Sequence, residues 1–181
     1  MGNNKETFQK AFLIAKQKMH HYALRRLAEF GEELLEDARE GQRGWSSFTG
    51  NTITSLAFGL YEDNQLTDVV FVNGVNPPVF RKIQKNETVF LDNPYEGEPR
   101  KVTGKVDIYD EWGDETSIKT LESVRPKGGN GIVITTGTEY STFLESKKDA
   151  NVLSDTELYA RAFGLEWMKS GLDKNTPIDK L

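Results

Sequence analysis

The chain has 181 residues, of which 36% are apolar and 28% charged, and 23 basic against 28 acidic side chains give a formal net charge of −5. This length fits one domain with one hydrophobic core, and we expect neither a membrane-spanning segment nor the basic surface of a general nucleic-acid binder. Because the chain contains no cysteine, disulfide scaffolds, thiol catalysis and thiolate metal sites are excluded.

The first forty residues predict a long amphipathic helix from about Lys5 to Glu40. Its apolar residues recur at spacings of three and four, which is typical of one helical stripe. They are Phe8, Ala11, Phe12, Ala15, Met19, Tyr22, Ala23, Leu27, Phe30, Leu34 and Ala38. Such a helix would be about 50 Å long, more than a compact domain of this size requires. Two shorter helices, with a bend or break at Gly31, remain an alternative.

Charge is divided between the two halves of this helix. Residues 5–26 carry six basic side chains against one acidic, whereas residues 29–40 carry six acidic against one basic. This order opposes the helix macrodipole, which favours acids at the start and bases at the end. Two interpretations remain open: a solvated face with accidental charge blocks, or opposite halves that meet between neighbouring copies in an assembly. The second makes interface candidates of Arg25, Arg26, Glu32, Glu33 and Glu36.

From residue 45 the pattern changes to that of a β-hairpin. A turn-rich lead-in precedes Thr52–Tyr61, where side chains alternate between two faces as in a strand. The polar residues Glu62–Gln65 are typical of a hairpin turn, and Leu66–Val72 follows as the second strand.

The stretch from residue 73 to residue 130 is irregular and predicts an insert on a smaller core. Prolines and glycines interrupt it repeatedly. Within it we expect short strands at Thr88–Leu91 and Lys101–Ile108, and a short helix at Thr116–Val124.

The last part of the chain predicts a strand, a helix and a loose tail. Gly131–Gly137 has the β-branched composition of a strand, and Ser154 with Glu157 has the spacing of a capping box. The helix that follows carries Leu158, Ala162, Leu165 and Met168 along one apolar stripe. The tail is residues 172–181.

Taken together, these elements predict a single domain of the α+β class over residues 1–181. A long N-terminal helix and a C-terminal helix would pack on a mainly antiparallel sheet. The core would be residues 5–72 and 131–170, and the insert residues 73–130 would elaborate it.

Signatures of catalysis are weak in this sequence. His20 and His21 are adjacent, so on a helix they point about 100° apart and do not converge on one metal. An acidic cluster includes Asp110 and Glu115, and paired carboxylates of this kind can hydrolyse glycosidic bonds. We nevertheless expect no catalytic residue, no cofactor and no metal site, with glycan hydrolysis as the alternative.

Two tryptophans lie in irregular segments rather than in periodic ones. Trp45 follows a glycine-rich turn, and Trp112 lies among acidic residues. Because exposed tryptophans are frequent anchors of protein–protein contacts, both are interface candidates.

Two segments resemble the head–tail joining family of tailed phages, the tail-completion or neck proteins. Phe48–Leu56 (FTGNTITSL) follows the long helix and resembles the family's "T-G-N-L-x-x-S-I" opening strand. Gly137–Glu145 (GTEYSTFLE) resembles a later strand, in which a "Y-A-x-x-x-E" pattern precedes the C-terminal helix. The similarity extends roughly over residues 5–72 and 131–170. Its motif residues that complete the interface candidates are Thr49, Gly50, Asn51, Tyr140 and Glu145.

The resemblance implies a small α+β subunit without catalytic activity, which forms a homo-oligomeric ring in the virion neck after assembly in the host cytoplasm. Its partners would be neighbouring portal or adaptor proteins and tail proteins, and DNA would pass through the ring without specific recognition. Heterologous contacts between unlike surfaces close into rings when the rotation permits. A monomeric binding module that uses residues 73–130 as its recognition arm is a further alternative.

Overall fold

The computed structural model of the chain describes residues 3–40, 51–72, 85–91, 100–103, 113–138 and 153–171. Over these residues the helices are α1 (Asn3–Glu40), α2 (Asn51–Thr54), α3 (Gly113–Ser123) and α4 (Ser154–Ser170). The strands are β1 (Ala57–Glu62), β2 (Gln65–Phe71), β3 (Thr88–Leu91), β4 (Arg100–Thr103) and β5 (Gly131–Thr135). The predicted α+β class, with a long N-terminal helix, a C-terminal helix and an antiparallel sheet, is confirmed.

Helix α1 is one uninterrupted helix of 38 residues, so the alternative of two shorter helices divided at Gly31 is wrong. Gly31 instead permits a close approach to the sheet: a Cβ atom there would lie 2.8 Å from two ring carbons of Phe58. The ring therefore packs directly on the helix backbone. Close packing, and not a helix stop, is the physical reason for glycine at this position.

The central sheet has three antiparallel strands in the order β2–β1–β5. In β1, Phe58 lies opposite Val70 of β2 and Ile134 of β5. The predicted hairpin between β1 and β2 is confirmed. Its turn residues Asp63 and Asn64 have φ angles of 49° and 65°, the left-handed conformation that tight hairpin turns require.

The predicted strand Thr52–Tyr61 is wrong in its first half, where residues 51–54 form the short helix α2. The Ser55 hydroxyl donates a hydrogen bond of 2.9 Å to the carbonyl oxygen of Thr52, and the turn brings both Ile53 and Leu56 into the core. In a continuous strand these two side chains, three positions apart, would point to opposite faces. Burial of both therefore outweighs the strand preference of the segment.

The sheet lies between two helical layers. Phe58 belongs to a core cluster with Leu35 and Ala38 of α1, and both Ile132 and Ile134 pack against that cluster. On the other face, the Tyr61 hydroxyl donates a hydrogen bond of 2.6 Å to the Leu121 carbonyl oxygen of α3, where burial raises the pKa of Tyr61. Helix α3 begins at Gly113, three residues before the predicted start at Thr116. It packs on the central sheet, although the sequence assigned it to the insert.

Helix α4 begins at Ser154, but Ser154 does not act as the predicted N-cap. Leu153 occupies the N-cap position and makes no side-chain capping hydrogen bond, and the Glu157 amide donates a 2.8 Å hydrogen bond to the Leu153 carbonyl oxygen. The predicted apolar stripe faces outward, since Leu158 is 64% and Leu165 is 68% exposed. The buried positions of α4 are Thr156 and Gly164.

Two short strands within residues 73–130 pair with each other. Strands β3 and β4 are antiparallel, with Thr88 opposite Thr103, and the prediction of a strand at Thr88–Leu91 is confirmed. Strand β4 matches the beginning of the predicted Lys101–Ile108. The remainder of that prediction and the predicted tail lie outside the described residues.

Candidate assembly surfaces

The first half of α1 exposes large apolar side chains. They are Phe8, Phe12, Leu13, Ile14 and Met19, each between 54% and 71% exposed. In the second half of the same helix, Phe30, Leu34 and Leu35 are buried. The stripe predicted from the sequence thus has two environments, one inside the core and one in solvent.

Contacts at His20 and Tyr22 mark where α1 meets the rest of the molecule. The His20 Nε2 atom lies 2.6 Å from Glu62 Oε1, and its Nδ1 atom lies 3.4 Å from the Asn130 side-chain amide. The Tyr22 hydroxyl donates a hydrogen bond to the Gly171 carbonyl oxygen. Residues 4–14, by contrast, are all exposed. We name residues 4–19 the basic arm.

The basic arm carries cations on both flanks of its apolar stripe. At 3.6 residues per turn, Phe8, Phe12 and Met19 fall within an arc of about 40°. On the same arithmetic, Lys16 and Lys18 lie about 80° to either side of Phe8. Within the described residues, neither lysine forms a hydrogen bond or an ion pair. The arm therefore presents an apolar ridge between unpaired positive charges.

Two acids of the second half of α1 bind α4 within the same chain. Glu33 accepts hydrogen bonds from the Tyr159 hydroxyl, at 2.7 Å, and from the Trp167 indole nitrogen. Asp37 accepts one of 2.8 Å from the Thr156 hydroxyl. The hydrogen bond to Glu33 is the main cause that raises the pKa of Tyr159, with burial and the charges of both acids adding to it. These polar contacts explain why α4 turns its apolar stripe outward.

Arg26 also binds α4 and holds its C-terminal end. The guanidinium lies 3.8 Å from the centre of the Trp167 ring, and its Nη2 atom donates a 2.9 Å hydrogen bond to the Trp167 carbonyl oxygen. Its Nη1 atom donates a 2.7 Å hydrogen bond to Glu29, which also lies 3.8 Å from Arg25. Arg26 and Glu33, both predicted interface residues, thus have intramolecular partners more than a hundred positions away, which the sequence pattern did not reveal.

A cleft of about 370 Å³ lies between the second half of α1 and the end of β2. Its apolar wall is formed by Leu35 with residues 70–72. Acidic side chains form the rest, namely Glu29, Glu32, Glu33 and Glu36. Glu32 is exposed and has no hydrogen bond or ion pair to the described part of the chain. We name this feature the acidic cleft.

Of the remaining interface candidates, the structure describes only Asn51. Asn51 is the first residue of α2. Six candidates lie outside the described residues: Trp45, Thr49, Gly50, Trp112, Tyr140 and Glu145.

The structure describes one of the two carboxylates that were suggested for glycan hydrolysis. Glu115 is exposed on α3 and lies 3.9 Å from Lys119, an ion pair one helical turn apart. Asp110 lies outside the described residues. Among the residues that the structure does describe, no group of three or more histidine or acidic side chains could hold a metal ion. No helix in those same ranges combines the length and apolarity needed to cross a membrane.

The chain matches no family model, no characterised protein and no solved structure. The resemblance to the head–tail joining family therefore stays a prediction that depends on the two segments quoted above. In one of them the family pattern places a strand where this chain forms α2 over Asn51–Thr54.

Proposed function

We propose that this protein is a structural subunit that assembles through unlike surfaces, and that it forms a ring in the neck of a tailed phage or prophage, between portal and tail. The observation that carries the assembly role is the basic arm, an exposed half-helix with five large apolar side chains. Three of them, Phe8, Phe12 and Met19, form one ridge, and an exposed apolar ridge of this kind typically marks an interaction site.

The energetics of the basic arm favour a bound partner. Burial of one large apolar side chain contributes about 1.5–3 kcal/mol, so Phe8, Phe12 and Met19 offer a substantial gain on association. A helical segment of this length without tertiary contacts is only marginally stable in water. A partner would therefore both bury the stripe and stabilise the helix that presents it.

The position in a phage neck is supported by the two segments that resemble that family and by the order of long helix, sheet and C-terminal helix. The formal net charge of −5 is also compatible with a ring through which DNA passes, because a surface without excess positive charge does not retain the phosphate backbone.

Deletion of the gene from its phage or prophage tests this position. We expect DNA-filled heads and separate tails that fail to join, and restoration of joining when the protein is supplied in trans. Density for this chain at the vertex where head and tail meet should appear in a map of the complete virion. Intact tailed particles that lack the protein would contradict the proposal.

A further inference from the structure

We propose that the basic arm of one copy docks in the acidic cleft of a second copy of this chain. This inference rests on the assembly role proposed above but not on its position in a virion. The contact is heterologous, since each copy offers one arm and one cleft, and its repetition builds a ring or an open filament according to the rotation between neighbours.

The apolar parts of the two surfaces match. The arm presents the ridge of Phe8, Phe12 and Met19, all more than half exposed. The apolar surface of the acidic cleft is formed by the half-buried Val70 and Phe71 of the edge strand β2, which lie over the buried Leu35 and Val72. An apolar helix ridge that enters a groove is a common mode of helix recognition.

The charges of the two surfaces are complementary. Lys16 and Lys18 flank the ridge, while the cleft offers Glu32, which has no ion pair to the described residues. Glu36 lies along the same cleft but forms an ion pair with Arg39 of its own helix. Single exposed ion pairs contribute only about 0–1 kcal/mol, so the burial of the ridge supplies most of the affinity. The charges instead select the partner and its orientation, because an arm–arm contact would bring lysines together.

The arm cannot reach the cleft of its own chain. Both are parts of the one continuous helix α1, and Phe12 lies about 30 Å along the helix axis from Glu32. An intramolecular contact would require the helix to break and fold back. A second copy is therefore the occupant that the geometry of α1 allows for a cleft complementary to the arm.

A competing receptor is the outward apolar stripe of α4, which includes Leu158 and Leu165. Two cations lie on or beside this stripe, since Lys169 and Arg161 fall about 20° and 60° from Leu158 around the helix, and they would repel the lysines of a basic arm. Charge complementarity therefore favours the acidic cleft, and docking on α4 becomes an outcome that the experiment must detect.

Charge reversal on the full-length chain tests the contact. The arm variant is Lys16→Glu with Lys18→Glu, and the cleft variant is Glu32→Lys. We expect each variant alone to self-associate at least about tenfold more weakly than the original chain, because like charges then face each other. An equimolar mixture should regain association, since each arm again meets a cleft of opposite charge. Analytical ultracentrifugation measures all four samples.

Cysteine cross-linking tests the contact even where the self-association is weak. The chain has no cysteine, so single cysteines can be introduced at Ala15, on the same face of the arm as the ridge, and at Val70 of the cleft, which leaves the ridge side chains and Glu32 in place. Mixed at the highest soluble concentration and treated with a short bis-maleimide, these two variants should yield a heterodimer. The matched control is Leu158→Cys on α4, which should not cross-link to the arm.

Three results would overturn the contact: no arm–cleft cross-link, cross-linking of the arm to α4 in its place, or self-association that the cleft variant leaves unchanged. These outcomes are distinguishable from failure of the proposed function. If gene deletion still separates heads from tails, the neck role stands and only the arm–cleft contact is wrong. If the contact holds but deletion leaves intact virions, the chain assembles elsewhere.

Discussion

At the scale of single residues, Gly137 lies where the end of β5 meets the start of α3. A Cβ atom there would lie 1.8 Å from the Gly113 carbonyl oxygen and 2.6 Å from the Ser117 amide nitrogen, both of them backbone atoms. The Gly137 amide also donates a 3.3 Å hydrogen bond to the Ser55 hydroxyl, which ties this point to α2. The close packing of β5, α3 and the turn after α2 thus requires that residue 137 has no Cβ atom.

We therefore predict that Gly137→Ala lowers the free energy of unfolding by about 3 kcal/mol or more, since the backbone of α3 or β5 must move to admit the methyl group. Chemical denaturation monitored by circular dichroism measures the change. The matched control is Gly128→Ala, where a Cβ atom meets nothing within 4 Å. Equal stability of the two variants would contradict the packing described here.

A second prediction concerns Tyr159 and the pH dependence of stability. Its hydrogen bond to Glu33 raises its pKa above the usual value of 10.0, so the folded state favours the protonated phenol. This contribution is fully present below pH 10 and is lost as the pH rises through the folded-state pKa. We expect the free energy of unfolding to decrease as the pH rises above 10. In Tyr159→Phe, the slope of this free energy against pH should be smaller.

Urea denaturation at a series of pH values from about 8 to 11 measures both slopes. Part of the slope should persist in the variant, because burial also raises the pKa of Tyr61. Tyr61→Phe is the matched control that reports this remaining part. An unchanged slope in Tyr159→Phe would show that the bond to Glu33 does not contribute to folding.

At the scale of elements, helix α1 combines a core half and a solvent half in one continuous backbone. Phe30 is buried, and its ring centre lies 5.0 Å from that of Trp167 in α4. Phe12, on the same sequence stripe, is 61% exposed. Phenylalanine side chains on one sequence stripe therefore lie in two different environments, one buried and one exposed.

We predict that Phe30→Ala lowers the free energy of unfolding by about 3–5 kcal/mol, as is usual for loss of a buried aromatic ring. Phe12→Ser should change it by less than about 0.5 kcal/mol when measured on dilute monomer. Thermal and urea denaturation of both variants test this contrast. A large loss in Phe12→Ser would mean that the arm packs on its own chain.

At the scale of the whole molecule, assembly and stability are coupled by mass action. A contact that forms only between folded copies stabilises the folded state in proportion to the logarithm of the free concentration over Kd. We predict that the thermal midpoint of the original chain rises with protein concentration. In the variant Lys16→Glu with Lys18→Glu it should stay constant, because the arm no longer docks.

Differential scanning calorimetry over a hundredfold range of concentration provides this test. Salt supplies an independent check, since raising it from about 0.1 M to about 1 M shortens the screening length from about 10 Å to about 3 Å. The lysine–glutamate complementarity should weaken under these conditions while the apolar burial persists. A midpoint that depends on concentration equally in both proteins would assign the contact to another surface.

The features that the sequence determined by itself are those that depend on near neighbours. The length of α1 follows from an apolar period maintained over its 38 residues, and the division of charge along it is visible in the order of residues alone. The β1–β2 hairpin likewise follows from alternation on both sides of a short polar turn. Such local patterns report the type of an element, and they identified the two halves of α1 as unlike surfaces.

The surface that each element buries depends on contacts between residues that are far apart in the sequence. Burial of both Ile53 and Leu56 made a helical turn from a segment with the alternation of a strand. Hydrogen bonds from Trp167 to Glu33 and from Arg26 to Trp167 hold one face of α4 against α1. These partners lie more than 130 positions apart in the sequence. An apolar stripe in the sequence indicates that one face of a helix can be buried. It does not indicate which other residues of the chain will cover that face. Long-range partners bury the second half of α1, whereas the large apolar side chains of the first half are exposed.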